Sequence, residues 1–168
     1  PSKMRYLTHN FECIEGSIDN IPLPDQSIDV ITCHHSFEHF EDNLDTLFIK
    51  ESLRLLSVNG QLLITPLFIT NIYAEITNNV FKSKSDSKSK FFFDPTATFP
   101  GWGPMQGFAR TYDNISLKER VLDFIPDNYE VCLYSIYFDD MLTPEFKYAY
   151  YQPKLNMSMK SLLIKRVC

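Results

Sequence analysis

The sequence predicts an α/β fold: a short, mainly parallel sheet with helices packed on it and a C-terminal antiparallel addition. Three observations lead there. Residues 28–33 and 61–65 are nearly continuous apolar, β-branched runs, the pattern of strands buried on both faces of a parallel sheet. Between them, residues 43–56 carry a helical period, so the three together read as a βαβ unit. Beyond residue 115, a helical stretch and two more strand-like runs follow. With 168 residues the chain suffices for one domain. Its expected parts are a core over 10–66, an insertion or lid over 67–114, and C-terminal helix and strands over 115–168.

Each element has a local reason. Residues 11–16, Phe-Glu-Cys-Ile-Glu-Gly, form a short apolar run that stops at a glycine, as a strand does before a turn. Two prolines, Pro22 and Pro24, forbid a regular element in the next connection. In 43–56, Leu44, Leu47, Phe48 and Leu55 fall on one helical face, Leu56 widens it, and Asp42 or Asn43 can cap the start. Asn59 and Gly60 tolerate the left-handed backbone of a helix stop. The strand 61–65 is expected to end at Pro66. Residues 68–81 are compatible with a helix. Residues 82–90, alternating Lys, Ser and Asp, read as a mobile, solvated surface loop. The following stretch to residue 112 is rich in aromatics and turn residues. Phe91, Phe92, Phe93, Phe99, Trp102 and Phe108 are therefore expected to fold over the carboxyl-end opening of the sheet as a lid. Ser116 is expected to cap a helix reaching residue 124, with Glu119 completing a capping box. Residues 129–138 and 159–167 look like strands.

Composition excludes several functions. The formal net charge is −5 and no basic stretch is interleaved with aromatics, which argues against nucleic-acid binding. No apolar run approaches the ~20 residues needed to span a bilayer, so no membrane partner is expected. Four cysteines, Cys13, Cys33, Cys132 and Cys168, form no Cys-x-x-Cys pair and read as buried free thiols in a reducing cytoplasm.

Three ordered blocks carry a family resemblance. Residues 16–31 read Gly-Ser-Ile-Asp-Asn-Ile-Pro-Leu-Pro-Asp-Gln-Ser-Ile-Asp-Val-Ile, residues 34–39 read His-His-Ser-Phe-Glu-His, and residues 50–66 read Lys-Glu-Ser-Leu-Arg-Leu-Leu-Ser-Val-Asn-Gly-Gln-Leu-Leu-Ile-Thr-Pro. They resemble class I S-adenosylmethionine-dependent methyltransferases that act on small molecules. In that family the first block is usually Gly-Asp-Ala-Glu-x-Leu-Pro-Phe-x-Asp-x-Ser-Phe-Asp-x-Val. The resemblance implies a Rossmann-like methyltransferase sheet, here truncated. The family's glycine-rich loop, which holds the amino-acid end of the cofactor, and its ribose-binding acidic residue have no counterpart before residue 11. It also implies S-adenosylmethionine as cofactor, held weakly by this chain alone.

What the resemblance assigns to residues follows from where ligands sit in open α/β sheets, at the carboxyl ends of the strands. Ser17, Ile18 and Asp19 correspond to the loop that holds adenine, with Ser17 where the family usually has Asp. Cys33 and His34 correspond to the contacts with the methionine part. His34 and His35 are the candidates for a general base. Glu38, His39, Trp102 and Arg110 are the candidate substrate contacts. His35 and His39 at i, i+4 beside Glu38 have a spacing that can ligate a metal. Hydrogen bonds that shape the loop explain the same residues, and no metal site is assigned. A zinc hydrolase drawing on His9 is a weaker third reading.

Two functions from different classes follow: a methyltransferase-like protein acting on a small molecule, truncated and inactive alone, or a non-catalytic interaction module derived from that fold. The open side of the strand 28–33 is expected to be met by the strand 11–15, by a second copy in a homodimer, or by a separate chain that supplies the missing half.

Overall fold

A computed structural model describes residues 13–79, 83–95, 107–135 and 158–167. Its first unit is the expected one. Strand β1 (Ile28–His34) leads through helix α1 (Leu44–Leu55) to a parallel neighbour, β2 (Leu56–Ile69). Asp45 in the first turn of α1 and Arg54 in the last have the signs that the helix dipole favours. The buried face of α1 is rotated from the expected stripe: Asp45, Phe48, Ile49, Ser52 and Leu55 are buried, while Leu47 lies at the surface.

The expected helix stop at 57–60 is a strand irregularity instead. The helix ends at Leu55, and β2 starts at once. Between Ile28 and Val30 the partner on β2 jumps from Leu56 to Gln61. Asn59 supplies the left-handed residue of this bulge, at φ 65°. Gly60 is required there, because a Cβ would sit 2.9 Å from the Ser57 carbonyl oxygen and 3.0 Å from that of Ile28.

Pro66 does not end β2. The strand runs on to Ile69, and the residue without an N–H is absorbed by a second irregularity between Ile64 and Leu67, where β2 advances three residues against two on its neighbour. That neighbour is β7 (Ser158–Arg166), antiparallel to β2 and in turn to β6 (Tyr129–Ser135). The sheet order is β1-β2-β7-β6. The α/β class and the C-terminal antiparallel strands are as expected. The sheet is less parallel than expected, since only β1 with β2 is a parallel pair. Residues 136–138 of the expected strand lie outside the described residues.

No strand forms at residues 13–16, and 11 and 12 lie outside the described residues. The run is too short, and its side chains are exposed, so nothing rewards pairing it. Among the described residues the outer edge of β1 is therefore unpaired.

The insertion contains a second sheet, not a helix. β3 (Ala74–Thr77) pairs parallel with β4 (Lys90–Phe93) and antiparallel with β5 (Phe108–Thr111), in the order β4-β3-β5. β-branched Ile76 and Thr77, and full burial of β3 on both faces, favour the strand over the helix. Phe91, Phe92 and Phe93 are thus strand residues, and Phe99 and Trp102 lie outside the described residues. The 83–89 segment is not a free loop. Ser85 donates from its backbone N–H (2.8 Å) and its hydroxyl to Glu75, and Ser89 is 2% exposed.

Helix α2 (Asn114–Arg120) is capped three residues earlier than expected. Asp113 accepts from the Ser116 N–H at 2.8 Å, and Ser116 Oγ accepts from the Asp113 N–H at 3.0 Å, so Ser116 is the far half of the box. Glu119 takes no part and pairs with Lys88 on the surface. A 3-10 turn (Leu122–Phe124) completes the helical stretch.

The core lies where α1 and α2 cover one face of the first sheet: Phe48, Ile49, Leu62, Ile64, Leu117, Val121, Leu162 and Ile164. On the other face Val30 is 63% exposed. Among the described cysteines all are free thiols, but only Cys33 is buried; Cys13 and Cys132 are exposed, against the expectation.

Candidate functional site

β1 delivers its last residues to the carboxyl end of the sheet. Strand alternation buries Cys33 and exposes His34. Burial, with the charge of Glu38 nearby, pushes the Cys33 thiol up to about 12, so it stays protonated and inert. His35 then leaves the strand in the left-handed region, at φ 45°. Its N–H donates to the Thr65 carbonyl at 3.2 Å, and Ser36 Oγ donates to the His34 carbonyl at 2.9 Å.

A 3-10 turn (Phe37–His39) follows. Phe37 drops into the core and stacks on Tyr112. Glu38 is 2% exposed, and its Oε1 lies 3.9 Å from His35 Nδ1 and 3.7 Å from His39 Nε2. His39 Nδ1 sits 2.6 Å from the Phe108 carbonyl, so that nitrogen carries the proton and donates it. The side chains of His35 and His39 are 49% and 10% exposed. The structure thus gathers His35, Glu38 and His39 and leaves His34 apart. Among the described residues no group of three His, Cys, Asp or Glu side chains is arranged to hold a metal ion.

Arg110 is not a pocket residue. It is fully buried on β5 and donates to the carbonyls of Phe40 (2.9 Å) and Asp42 (3.0 Å) and to Glu75 (3.0 Å), with Asp45 at 3.1 Å. Arg120 of α2 holds Asp45 through two nitrogens, at 2.8 and 2.6 Å, and reaches Asp86 at 2.7 Å. Tyr112 donates to the same Asp45 at 2.8 Å. Burial works against the charge on Glu75, but hydrogen bonds from Ser85 and Arg110 outweigh it and hold its carboxyl below the usual range. This network clamps the 36–45 segment from behind, through side chains that sequence reasoning did not single out: Asp45, Glu75, Asp86 and Arg120. One signal was available. Asp45 stands in an otherwise apolar i, i+3, i+4 row with Phe48 and Ile49.

Ser17 and Asp19 lie in an exposed turn, the Ser17 hydroxyl donating to the Asp19 carboxylate. Ile18 packs against the core. The connection that follows is stapled by α1: Arg54 donates to the carbonyls of Ile21 (3.0 Å) and Leu23 (2.9 Å) and to Asp25 (2.6 Å), and Glu51 accepts from the Ile21 N–H at 2.7 Å. The Glu-x-x-Arg of the third sequence block therefore holds the shape of the first.

These residues fit one end of S-adenosylmethionine. Asp19 offers an exposed carboxylate of the kind that accepts from an adenine amine. Among the described residues no glycine-built loop stands at the carboxyl end of β1 for the amino-acid end; Gly60 lies at the opposite end, against Ile28. The described residues alone do not cradle the whole cofactor. A separate open groove of about 530 Å³, lined by Thr46, Lys50, Asp86, Lys88 and Glu119, contains none of the expected site residues.

Comparison with known proteins agrees with the resemblance. Residues 2–64 match the family model described as a methyltransferase domain. No curated protein matches. An S-adenosylmethionine-dependent methyltransferase structure from Clostridium acetobutylicum is similar in fold, with a TM-score of 0.50, 10% identity, and 96% of this chain and 66% of that one covered. One from Methanosarcina mazei has a TM-score of 0.49 and 12% identity, covering 90% and 65%. A putative one from Listeria monocytogenes has 0.49 and 11%, covering 96% and 72%. The chain spans 56% to 66% of the length of four similar solved structures.

Proposed function

We propose that this chain is an S-adenosylmethionine-dependent methyltransferase-like protein that acts on a small molecule at the carboxyl end of β1 and on its own holds the cofactor weakly. The match of residues 2–64 to a methyltransferase domain and the Rossmann-like fold support this. The observation that carries the reading is the domain match, which runs through the exposed Ser17–Asp19 turn and the His34–His35 strand end. When bound, the cofactor supplies an activated methyl group. The protein's part is to hold the acceptor in line beside it. Isothermal calorimetry with S-adenosylmethionine is expected to give a dissociation constant in the millimolar range, near ~−4 kcal/mol. Micromolar binding would refute the weak-binding half of this reading.

A second reading is favoured by one observation: three of the expected substrate contacts, Glu38, His39 and Arg110, are buried or nearly so. A non-catalytic interaction module would look the same there. Isotopically labelled cofactor that stays unbound even at millimolar concentration supports this module over the enzyme.

The edge of β1 that is unpaired among the described residues, with Val30 exposed beside it, supports a homodimer as partner arrangement. Light scattering at micromolar protein is expected to return twice the chain mass, and a monomer there overturns the dimer. No helix among the described residues is long and apolar enough to cross a membrane. The free thiols of Cys13, Cys33 and Cys132 support a reducing compartment, as proposed for a cytoplasmic protein.

A further inference from the structure

We propose that His35 and Glu38 form a proton-transfer pair, in which the exposed imidazole takes a proton from an O–H or N–H of a small molecule and the buried carboxylate behind it holds the ring. The small molecule is the acceptor of the reading above, but the pair itself does not depend on a bound cofactor.

The backbone gives the first reason. A residue with a Cβ is uncommon in the left-handed region, and such conformations persist where the surroundings over-determine them. His35 adopts it at the strand end where ligands bind in this class of sheet, its N–H held by the Thr65 carbonyl and the preceding His34 carbonyl held by the Ser36 hydroxyl.

The side chains give the second. The nitrogen of His35 that faces Glu38 is Nδ1, at 3.9 Å, so Nε2 is on the far side of a ring that is 49% exposed. A carboxylate beside Nδ1 favours the tautomer with the proton there and leaves the Nε2 lone pair for the ligand. The separation exceeds a direct hydrogen bond, and a small ring rotation or one bridging water closes it. The same Glu38 oxygen lies 3.7 Å from Nε2 of His39, whose ring is anchored to the Phe108 carbonyl at 2.6 Å. Glu38 is 2% exposed beneath the half-exposed ring of His35, so it acts through that ring as a positioning residue. His34 is a built-in comparison: exposed, adjacent, and with no carboxylate in ion-pair reach among the described residues.

The step balances simply. The X–H bond of the acceptor breaks, its electron pair stays on X, and the proton forms a bond to Nε2. The resulting imidazolium keeps its Nδ1–H towards Glu38, and the proton passes to water when the ligand leaves.

Limited acylation with diethyl pyrocarbonate tests the pair without any activity assay. It is run at mildly alkaline pH, where ordinary imidazoles are neutral, and His34 and His35 are resolved by tandem mass spectrometry. His35 is expected to react about threefold or more faster than His34. Glu38→Gln should bring His35 down to the His34 rate and leave His34 unchanged. Equal rates in the unaltered protein overturn the proposal, and so does a His35 rate that ignores Glu38→Gln. If that variant fails to fold, the ratio in the unaltered protein still decides. Failure to bind S-adenosylmethionine removes the methyltransferase reading and leaves this ratio untouched, so the two fail separately.

Discussion

The two sheets meet the same helix, α1, by different forces. The first, β1-β2-β7-β6, presents Leu62, Ile64, Leu162 and Ile164 to Phe48 and Ile49, an apolar contact without directional demands. The second, β4-β3-β5, reaches the same helix through Arg110 and Asp45, both fully buried. Apolar contacts tolerate volume-conserving change. Buried charges do not, because removing one partner strands the other. The first sheet is thus the forgiving half and the second the brittle one. The brittle half holds the candidate site, since Phe108 and Arg110 of β5 both grip the segment that carries Glu38 and His39.

The largest break of this contrast is Arg110→Ala. It leaves Glu75 and Asp45 buried with one cation fewer, and a loss of roughly 3–5 kcal/mol is expected in urea unfolding. Combining Arg110→Met with Glu75→Leu should recover part of that loss, because Glu75 is no longer stranded and Asp45 keeps Arg120. A double variant no better than the single one would show that the sheet needs the ions themselves.

Acid applies the same break gradually. The folded-state pKa of Glu75 lies below its ordinary 4.5 and that of Asp86 below its ordinary 3.8, each held down by hydrogen bonds and an arginine in spite of burial. A carboxyl with a depressed pKa contributes stability that is fully present above the ordinary value and is lost as pH falls through the folded one. Amide exchange in β3 and β5 should therefore accelerate below about pH 4, while β2 and β7 stay protected. Simultaneous loss in both sheets would remove the distinction.

The smallest effect belongs to the forgiving half, at Gly60, where two backbone oxygens crowd the Cβ position. Gly60→Ala pushes a Cβ against two backbone oxygens, 2.9 and 3.0 Å away, that cannot swing aside. A cost of about 1–3 kcal/mol is expected, read as a lower urea midpoint at unchanged slope. An unchanged midpoint would mean that the β1–β2 bulge relaxes freely.

This division also separates what could be read in advance. β1, α1 and the start of β2 were legible because each is a local apolar pattern with its own period. The Glu51–Arg54 staple was visible as a motif, though not as a role. The capping of α2 was misplaced by three residues because Asp113 and Ser116 offer the same chemistry, and only geometry ranks them. The helix expected at 68–81 failed because its residues suit either element, and pairing with β4 and β5 decided for a strand.

By itself the sequence determined the βαβ unit, the C-terminal antiparallel strands, the methyltransferase resemblance and the clustering of three histidines near Glu38, all of which are properties of neighbours in the chain. Tertiary structure alone decided that Arg110 is a buried clamp, that Asp45 faces inward, and that His35, not His34, stands beside a carboxylate. The reason is physical. A charge shows its role only through partners far along the chain: Arg110 meets Glu75 from 35 residues away, and His39 meets Phe108 from 69. No local pattern encodes such a meeting.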